Sequence, residues 1–444
     1  MKFHFAVLTL LFLAKHSCAQ NIVYTMPAEH TMHEGTWLQW PHNHLYGPWY
    51  IEDLEPTFLQ MTEALIVGEK VHIILYDENE LDYITALFDD ENIPTTNIDF
   101  YLHENNDCWV RDNGPIFVFD EEENLTTLDW GFNGWGGEHP YQLCDPIPAL
   151  IAADIEVPVV DLSAVVLEGG AVEVDGNGTF LATKSSIIND DRNPNLTQGQ
   201  IENYLTENLG VTNFIWLEGV EGLEVTDMHI DGFARFHEGN TIVTMSDDDL
   251  AYWEVPSDDI TTLFTATNVD GEGFNFVLLP LTQNNVVTTW NESVQFRGSY
   301  VNYYIGNTVV LVPTYNDPMD AVAMDIIQDI FPTRTVVGVD CRNLFYGGGM
   351  VHCVTQQQPF SAGFNTVFES EDGSDKQIQI FPNPCESFMQ LQGAVPNSEY
   401  EIFDTTGRLI VRSNLYNTAI DVRLLESGCY LLKNGNSVSS FIKL

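Results

Sequence analysis

Cys353 ends the run Gly347-Gly-Gly-Met-Val-His-Cys353 and leads into Val354-Thr-Gln-Gln-Gln-Pro359. Glycines let a chain turn tightly and let a ligand come close to the backbone. A thiol on an alternating strand beside such a turn is either a small buried apolar residue or a nucleophile. A nucleophile needs a base and an anchor for its substrate, and three distant stretches offer them. Asn106-Asp-Cys-Trp-Val-Arg-Asp-Asn-Gly-Pro115 brings Trp109 and Asp112 to one turn. Leu167-Glu-Gly-Gly170 carries Glu168, and Asp227-Met-His-Ile-Asp-Gly232 carries His229 and Asp231. On a strand His229 and Asp231 would share a face, because side chains alternate.

Carboxylates beside a tryptophan suit a planar cation. Guanidinium is flat, permanently charged and able to pair with carboxylates through two parallel hydrogen bonds. An indole face adds about 0.5–2 kcal/mol. A thiolate next to such a group could attack its central carbon, and His229 could protonate the departing ammonia and then activate water. The substrate brings its own positive charge, so this chemistry needs no metal and no cofactor. Plainer readings compete. Cys353 could be packing, Asp112 could pair with Arg111, and Glu168 could be a turn residue. Cys108 is a rival thiol without a glycine turn. His229, Asp231 and Cys353 could line a metal, but His-Glu-x-x-His and Cys-x-x-Cys patterns are missing from the sequence. Serine-hydrolase, dinucleotide and P-loop patterns are missing too.

The elements that must position these residues follow a rhythm. A glycine turn, usually beside an acid, runs into an apolar strand at Glu34-Gly35, Asp112-Asn-Gly114, Glu168-Gly-Gly170, Asp231-Gly232, Arg297-Gly298 and Gly347-Gly-Gly349. The even spacing predicts an internal repeat of strands plus a helix, with five units closing into a ring around a shared centre. Tyr50 to Val67 has helical apolar spacing, Val71 to Tyr76 is a buried strand, and Leu81 to Phe88 is a second amphipathic helix. Strand and helix alternate, which predicts an α/β fold.

The 444 residues suffice for one large domain and a small one. Acids outnumber bases 65 to 16, a net charge of −49. That excludes nucleic acid as a partner, because phosphate binding needs a basic footprint, and disfavours acidic membrane surfaces. It fits a cationic small molecule, although most of the charge reads as a solvated surface. Residues 1–19 read as a secretory signal peptide, with a basic start, a short apolar run and the small-residue exit Ser17-Cys-Ala19. Residues 366–376 read as a polar linker. Residues 377–444 read as a small β-sandwich, with strands at Ile378–Phe381, a hairpin at Tyr400–Val411, and strands at Gly428–Lys433 and Phe441–Leu444.

Over about residues 24–360 the chain resembles the agmatine deiminase family, which also holds the bacterial-type peptidyl-arginine deiminases. The resemblance rests on Met26-Pro-Ala-Glu29 with Trp37 to Asn43, Trp109-Val-Arg-Asp112, Asp129-Trp-Gly-Phe-Asn-Gly-Trp-Gly-Gly137, Glu168-Gly-Gly170, Asn189 through Arg192-Asn-Pro194, His229-Ile-Asp231, Ser299-Tyr-Val-Asn302 and the Gly347–Pro359 stretch. It implies a five-bladed, pseudo-symmetric α/β propeller of the guanidino-modifying pentein type, spanning residues 20–365. It implies Cys353 as nucleophile, His229 as general acid and base, and Asp112 and Asp231 as the guanidinium grip. Trp109, Glu168 and Asn302 would line the pocket. The implied reaction turns a guanidino into a ureido group through a thiouronium and releases ammonia, giving N-carbamoylputrescine from agmatine. Peptidyl arginine is the alternative substrate, and a binding protein that kept the fold without turnover is a third reading. Phe132-Asn-Gly-Trp-Gly-Gly137 and the lack of arginine between Arg111 and Arg192 leave no carboxylate clamp there, which favours the small amine. The tail, with Phe381-Pro-Asn-Pro384 and Ser427-Gly-Cys-Tyr430, resembles the C-terminal sorting domain of type IX secretion. It implies export through periplasm and outer membrane, by that machinery, to the surface or the medium, and raises a Cys385–Cys429 disulfide as an open question.

Overall fold

The computed structural model describes residues 24–361, apart from residue 45, and, from 379 to 443, the strands with some of their connections. The expected signal peptide at 1–19 and linker at 366–376 lie outside the described residues, as does the side chain of Cys429 and with it the Cys385–Cys429 question.

Between residues 33 and 359 one pattern occurs five times. A short leading strand turns back antiparallel onto a second strand, and a helix then carries the chain to a third strand parallel to the second. The second sheet shows it plainly: Ile116–Phe119 pairs with Leu125–Gly131, the helix Ile147–Asp154 crosses over, and Val159–Val166 completes the sheet. The third sheet uses Glu173–Val174, Thr179–Thr183, the helix Gln198–Leu209 and Asn213–Leu217. The fourth uses Ala234–His237, Thr241–Thr244, the helix Ser257–Thr265 and Asn275–Leu278. The fifth uses Tyr304–Ile305, Val309–Thr314, the helix Met319–Ile330 and Thr335–Asp340. The first sheet is made from both ends of this region. Its leading strand is Gln356–Pro359, which pairs antiparallel with His33–Gln39, and Lys70–Leu75 and Ile98–Leu102 follow in parallel.

Local sequence explains the elements. The helix Pro48–Leu65 opens on proline and buries Ile51, Leu54, Phe58, Met61 and Leu65 at helical spacing. The helix Glu78–Asp90 is capped by the Asp77 carboxylate, which accepts from the Asn79 and Glu80 amides. Lys70–Leu75 and Val309–Thr314 are buried almost throughout, as parallel strands covered on both faces must be.

The α/β fold and the repeat are therefore as the sequence predicts, with two corrections. Glu34-Gly35 lies inside His33–Gln39, the second strand of its sheet, so it opens no unit of its own. Gly298 lies within Ser293–Ser299, a strand that forms an extra hairpin with Leu281–Val287, so the fifth unit opens later, at Ser299–Asn302. Six glycine signals thus reduce to five leading strands.

Buried ion pairs tie the units together. Arg235, 1% exposed, donates to Glu173 of the third sheet, to the Tyr303 carbonyl next to the fifth (2.6 Å), and to Glu29 near the N-terminal end (2.8 Å). In the tail, Gln379–Phe381, Phe388–Gln392 and Ala419–Asp421 form one sheet, and Leu409–Asn414, Glu399–Asp404, Gly428–Asn434 and Ser437–Lys443 form another. Met389, Leu391 and Ile420 of the first and Ile402, Leu432 and Phe441 of the second share one apolar cluster. Among the described residues no helix is long and apolar enough to cross a membrane.

Replacing Arg235 by methionine leaves Glu29 and Glu173 buried without their shared cation. Urea unfolding of the full chain should show a loss of about 3–5 kcal/mol. A loss below about 1 kcal/mol would mean that the clamp does not hold the units together.

Candidate active site

Tight turns precede the leading strands, and four of these are single helical turns: Val110–Asn113, Gly169–Ala171, Ile230–Gly232 and His352–Val354. Asp112, Asp231 and Cys353 lie within such turns, Glu168 and His229 stand at the residue just before theirs, and Asn302 stands just ahead of Tyr304–Ile305. Cys353, His229 and Asp231 are therefore not on strands, as their spacing suggested. A helical turn replaces the expected alternation, and five equivalent turns bring the site together.

The convergence is tight at Gly170. A β-carbon there would lie 2.6 Å from His229 Nδ1, 2.8 Å from Asp112 Oδ1 and 3.2 Å from Asp231 Oδ2, so the position has room only for hydrogen. His229 Nδ1 is 3.5 Å from Asp112 Oδ1, and the Gly170 amide donates to the same oxygen at 3.0 Å. Cys353 Sγ lies 3.8 Å from Asp231 Oδ2 and 3.4 Å from Asn302 Nδ2. Gly349 makes room for Trp109, whose ring would be 2.3 Å from a β-carbon placed there. Trp109, Asp112 and Cys353 line a cavity of about 300 Å³ together with Tyr46, Asp107, Trp135, His139, Val225, Thr226 and Gly347–Gly349. His229, Asp231, Asn302 and Glu168 stand immediately behind that wall, at 6%, 2%, 0% and 0% exposure. Glu168 faces away from the cavity wall: its oxygens meet His229 Nε2 at 2.8 Å and Arg192 Nε at 2.7 Å.

The electrostatics follow from burial. Burial pushes the Asp112 carboxyl up to about 6, and the Glu168 and Asp231 carboxylates add to the push while His229 and the Trp135 hydrogen bond oppose it. Burial opposes the imidazolium of His229, yet Asp112 and the Glu168 hydrogen bond outweigh it and raise the group to about 9. Asp231 stays below the ordinary range against burial, because His352 hydrogen-bonds it at 2.8 Å. Burial, then Asp231 and Asp112, hold the Cys353 thiol well above its ordinary value. At neutral pH the site holds a neutral thiol, an imidazolium and acids that lack a full complement of cations.

The competing readings resolve on geometry. Arg111 turns away from Asp112: it donates to the His352 carbonyl at 3.2 Å and to Gln357 at 2.8 Å, and lies 3.5 Å from Glu29. Cys108 is fully buried and off the cavity wall. Among the described residues no group of three or more His, Cys, Asp or Glu could hold a metal ion.

Sequence reasoning assigned no role to four supporting residues. Trp135 donates from Nε1 to Asp112 Oδ2 at 2.9 Å. Arg192 links Glu168 to Asp227, with Nη1 2.5 Å from Asp227 Oδ2. His352 bridges Asp231 to Glu29, 2.7 Å from Nε2. All four, Glu29 included, lie in the quoted motifs, so the signal was present, but their partners are far away in the chain.

A family model described as Porphyromonas-type peptidyl-arginine deiminase matches residues 25–359, and one described as secretion system C-terminal sorting domain matches 379–443. The agmatine deiminase of Pseudomonas aeruginosa is 32% identical over 362 residues, covering 76% of this chain and 95% of that one. The solved agmatine deiminase of Enterococcus faecalis superposes with a TM-score of 0.67 at 28% identity, over 78% of this chain and 99% of that one.

The geometry around His229 can be checked in solution without any substrate. By NMR its imidazole should titrate near 9, and in Glu168→Gln it should titrate lower, by about one pH unit or more. An unchanged midpoint would refute the part assigned to Glu168.

Proposed function

The chain belongs to the Porphyromonas-type peptidyl-arginine deiminase family, and from that premise we propose that it is an exported, cofactor-free hydrolase of the guanidino C–N bond whose substrate is agmatine. The observation that carries this reading is the meeting of an imidazole and two carboxylates around Gly170, with the Cys353 thiol 3.8 Å from one of them, beside a cavity whose wall holds no lysine or arginine.

Asp112 and Asp231 receive the guanidinium, with Trp109 flanking it. The arriving positive charge offsets the two carboxylates that hold the thiol protonated. Cys353 then loses its proton to solvent and its sulfur attacks the guanidinium carbon. A C–S bond forms, the C–N bond breaks, and the His229 imidazolium gives its proton to the leaving ammonia. Neutral His229 next takes a proton from water as the water oxygen bonds to the thiouronium carbon. Collapse breaks the C–S bond and leaves the ureido product, as the hydroxyl proton passes to the departing sulfur and restores the thiol. Asn302 supports the sulfur, and Glu168 keeps the imidazole oriented and charged.

Agmatine fits because Arg111 and Arg192, which stand beside site residues, are already engaged, Arg111 with His352 and Gln357, and Arg192 with Glu168 and Asp227. A peptide carboxylate finds no lysine or arginine on the wall. The second reading, peptidyl arginine, draws support from the family description and from the sorting domain, because an exported enzyme meets proteins. Export by type IX secretion, to the surface or the medium, is read from the match at 379–443. The five sheets are read as blades of a ring-shaped propeller in a catalytic unit of 20–365, and the two tail sheets as a sandwich at 377–444. Their repeated topology and the shared apolar cluster support this.

Agmatine and a peptide ending in arginine, supplied side by side, decide between the substrates. Agmatine should give ammonia and a ureido product, and Cys353→Ala should cut the rate by at least about 10⁴-fold. A peptide preference reverses the substrate choice, and turnover surviving in Cys353→Ala removes the mechanism. The pH profile of kcat/KM should rise near 6 as Asp112 ionises and fall near 9 as His229 loses the proton it must donate.

A further inference from the structure

The cavity wall holds a second buried acid that the chemistry above does not use. Asp107 is 5% exposed and shares the cavity with Cys353 and Asp112. Its orientation is fixed: the Tyr46 hydroxyl and the Cys108 amide, at 2.8 Å, both donate to Oδ1. Three other buried acids near the site have their bases. Asp231 has His352, Glu168 has Arg192 and His229, and Glu29 has Arg235. Asp107 forms no ion pair among the described residues. A carboxylate buried that way is costly unless a cation completes it. Burial pushes its carboxyl up to about 7, with the nearby Asp112 charge contributing, as expected of an acid that lacks its cation.

We propose that Asp107 is the specificity-determining residue for the far end of the substrate, where its carboxylate takes a primary ammonium. This rests on the deiminase reading and names the second charge of its substrate. Asp107 lies just before the turn Val110–Asn113 and Asp112 lies within it, so one short segment presents two acids to one cavity. Asp112 reads the guanidinium, and Asp107 reads the other end of the same molecule. Tyr46, Trp109 and Trp135 line the space with aromatic surface that suits an alkyl chain between two cations. The arrangement fits a small dication and repels a ligand whose far end is a carboxylate.

The test compares agmatine with n-butylguanidine, which keeps the guanidinium and the chain but lacks the ammonium, on the full chain and on Asp107→Asn. The KM for agmatine should rise about 30-fold or more in the variant, the loss typical of a truncated buried charge pair. For butylguanidine kcat/KM should change less than about threefold, which also shows that the variant is folded. Equal losses on both compounds overturn the proposal. Where circular dichroism shows Asp107→Asn unfolded, Asp107→Glu decides, because it keeps the charge and advances it by about one methylene. Preference should then shift at least about fivefold from agmatine towards 3-guanidinopropylamine, and an unchanged ranking overturns the proposal. If the unaltered protein turns over neither compound, the deiminase reading fails instead. Calorimetric binding of agmatine against butylguanidine, with and without Asp107, then decides the role of Asp107 by the same comparison.

Discussion

Buried negative charge without enough positive charge to match it is the constraint that organises this site. Asp112 and Asp231 converge beside a thiol, with one imidazolium at their meeting point and no lysine or arginine on the cavity wall. Such an arrangement is unfavourable while empty, and that is its use. It holds the Cys353 proton on, and under the proposed mechanism an arriving cation relieves that hold, so the nucleophile is made only when there is something to attack. The two carboxylates are not equivalent. Asp231 is supported from behind by His352, which leans on Glu29 and so on Arg235. Asp112 has neutral donors, Trp135 and the Gly170 amide, and keeps more of its need for an external cation.

The backbone must let these groups approach, and glycine at 169, 170 and 349 does so. A β-carbon on Gly169 would meet the Arg111 carbonyl at 2.1 Å, and those on Gly170 and Gly349 would meet site side chains. None of the three has the left-handed backbone that usually explains a glycine. Their reason is space, a close approach of one turn to the next. The same five-fold repetition that supplies equivalent turns supplies the crowding, since every unit points its turn at the same place.

Legibility in the sequence divides along distance. The helices Pro48–Leu65 and Glu78–Asp90 show in local periodicity, and the strand Lys70–Leu75 in its continuous apolar run, because each pattern follows the faces the element buries. The seven candidate residues could be picked out because each sits in a dense short motif. What could not be read was who holds whom. Arg192 and Glu168 are 24 positions apart, and His352 and Glu29 are 323 apart, and no local pattern encodes such pairs. The pairing of His33–Gln39 with Gln356–Pro359 escaped for the same reason, so the first glycine signal was taken for a unit of its own. The strand reading of Cys353 failed more locally: a period of two and a single helical turn cannot be told apart over three residues.

One of the five turns carries an amide where three carry acids, and the electrostatics explain why. Asn302 has a donor 3.4 Å from Cys353 Sγ and 3.2 Å from the Asp231 carbonyl, while its oxygen accepts from the His352 amide at 2.9 Å. An aspartate there could accept from His352 but could donate to neither the sulfur nor the carbonyl. It would also place a third negative charge against a thiol that two carboxylates already hold protonated. On the proposed mechanism the arriving guanidinium would then have three carboxylates to offset, not two, before the thiolate could form. A neutral side chain at this turn avoids that added charge. The repeat therefore fixes where the five groups stand, and the charge balance among them fixes which turn can bear a carboxylate.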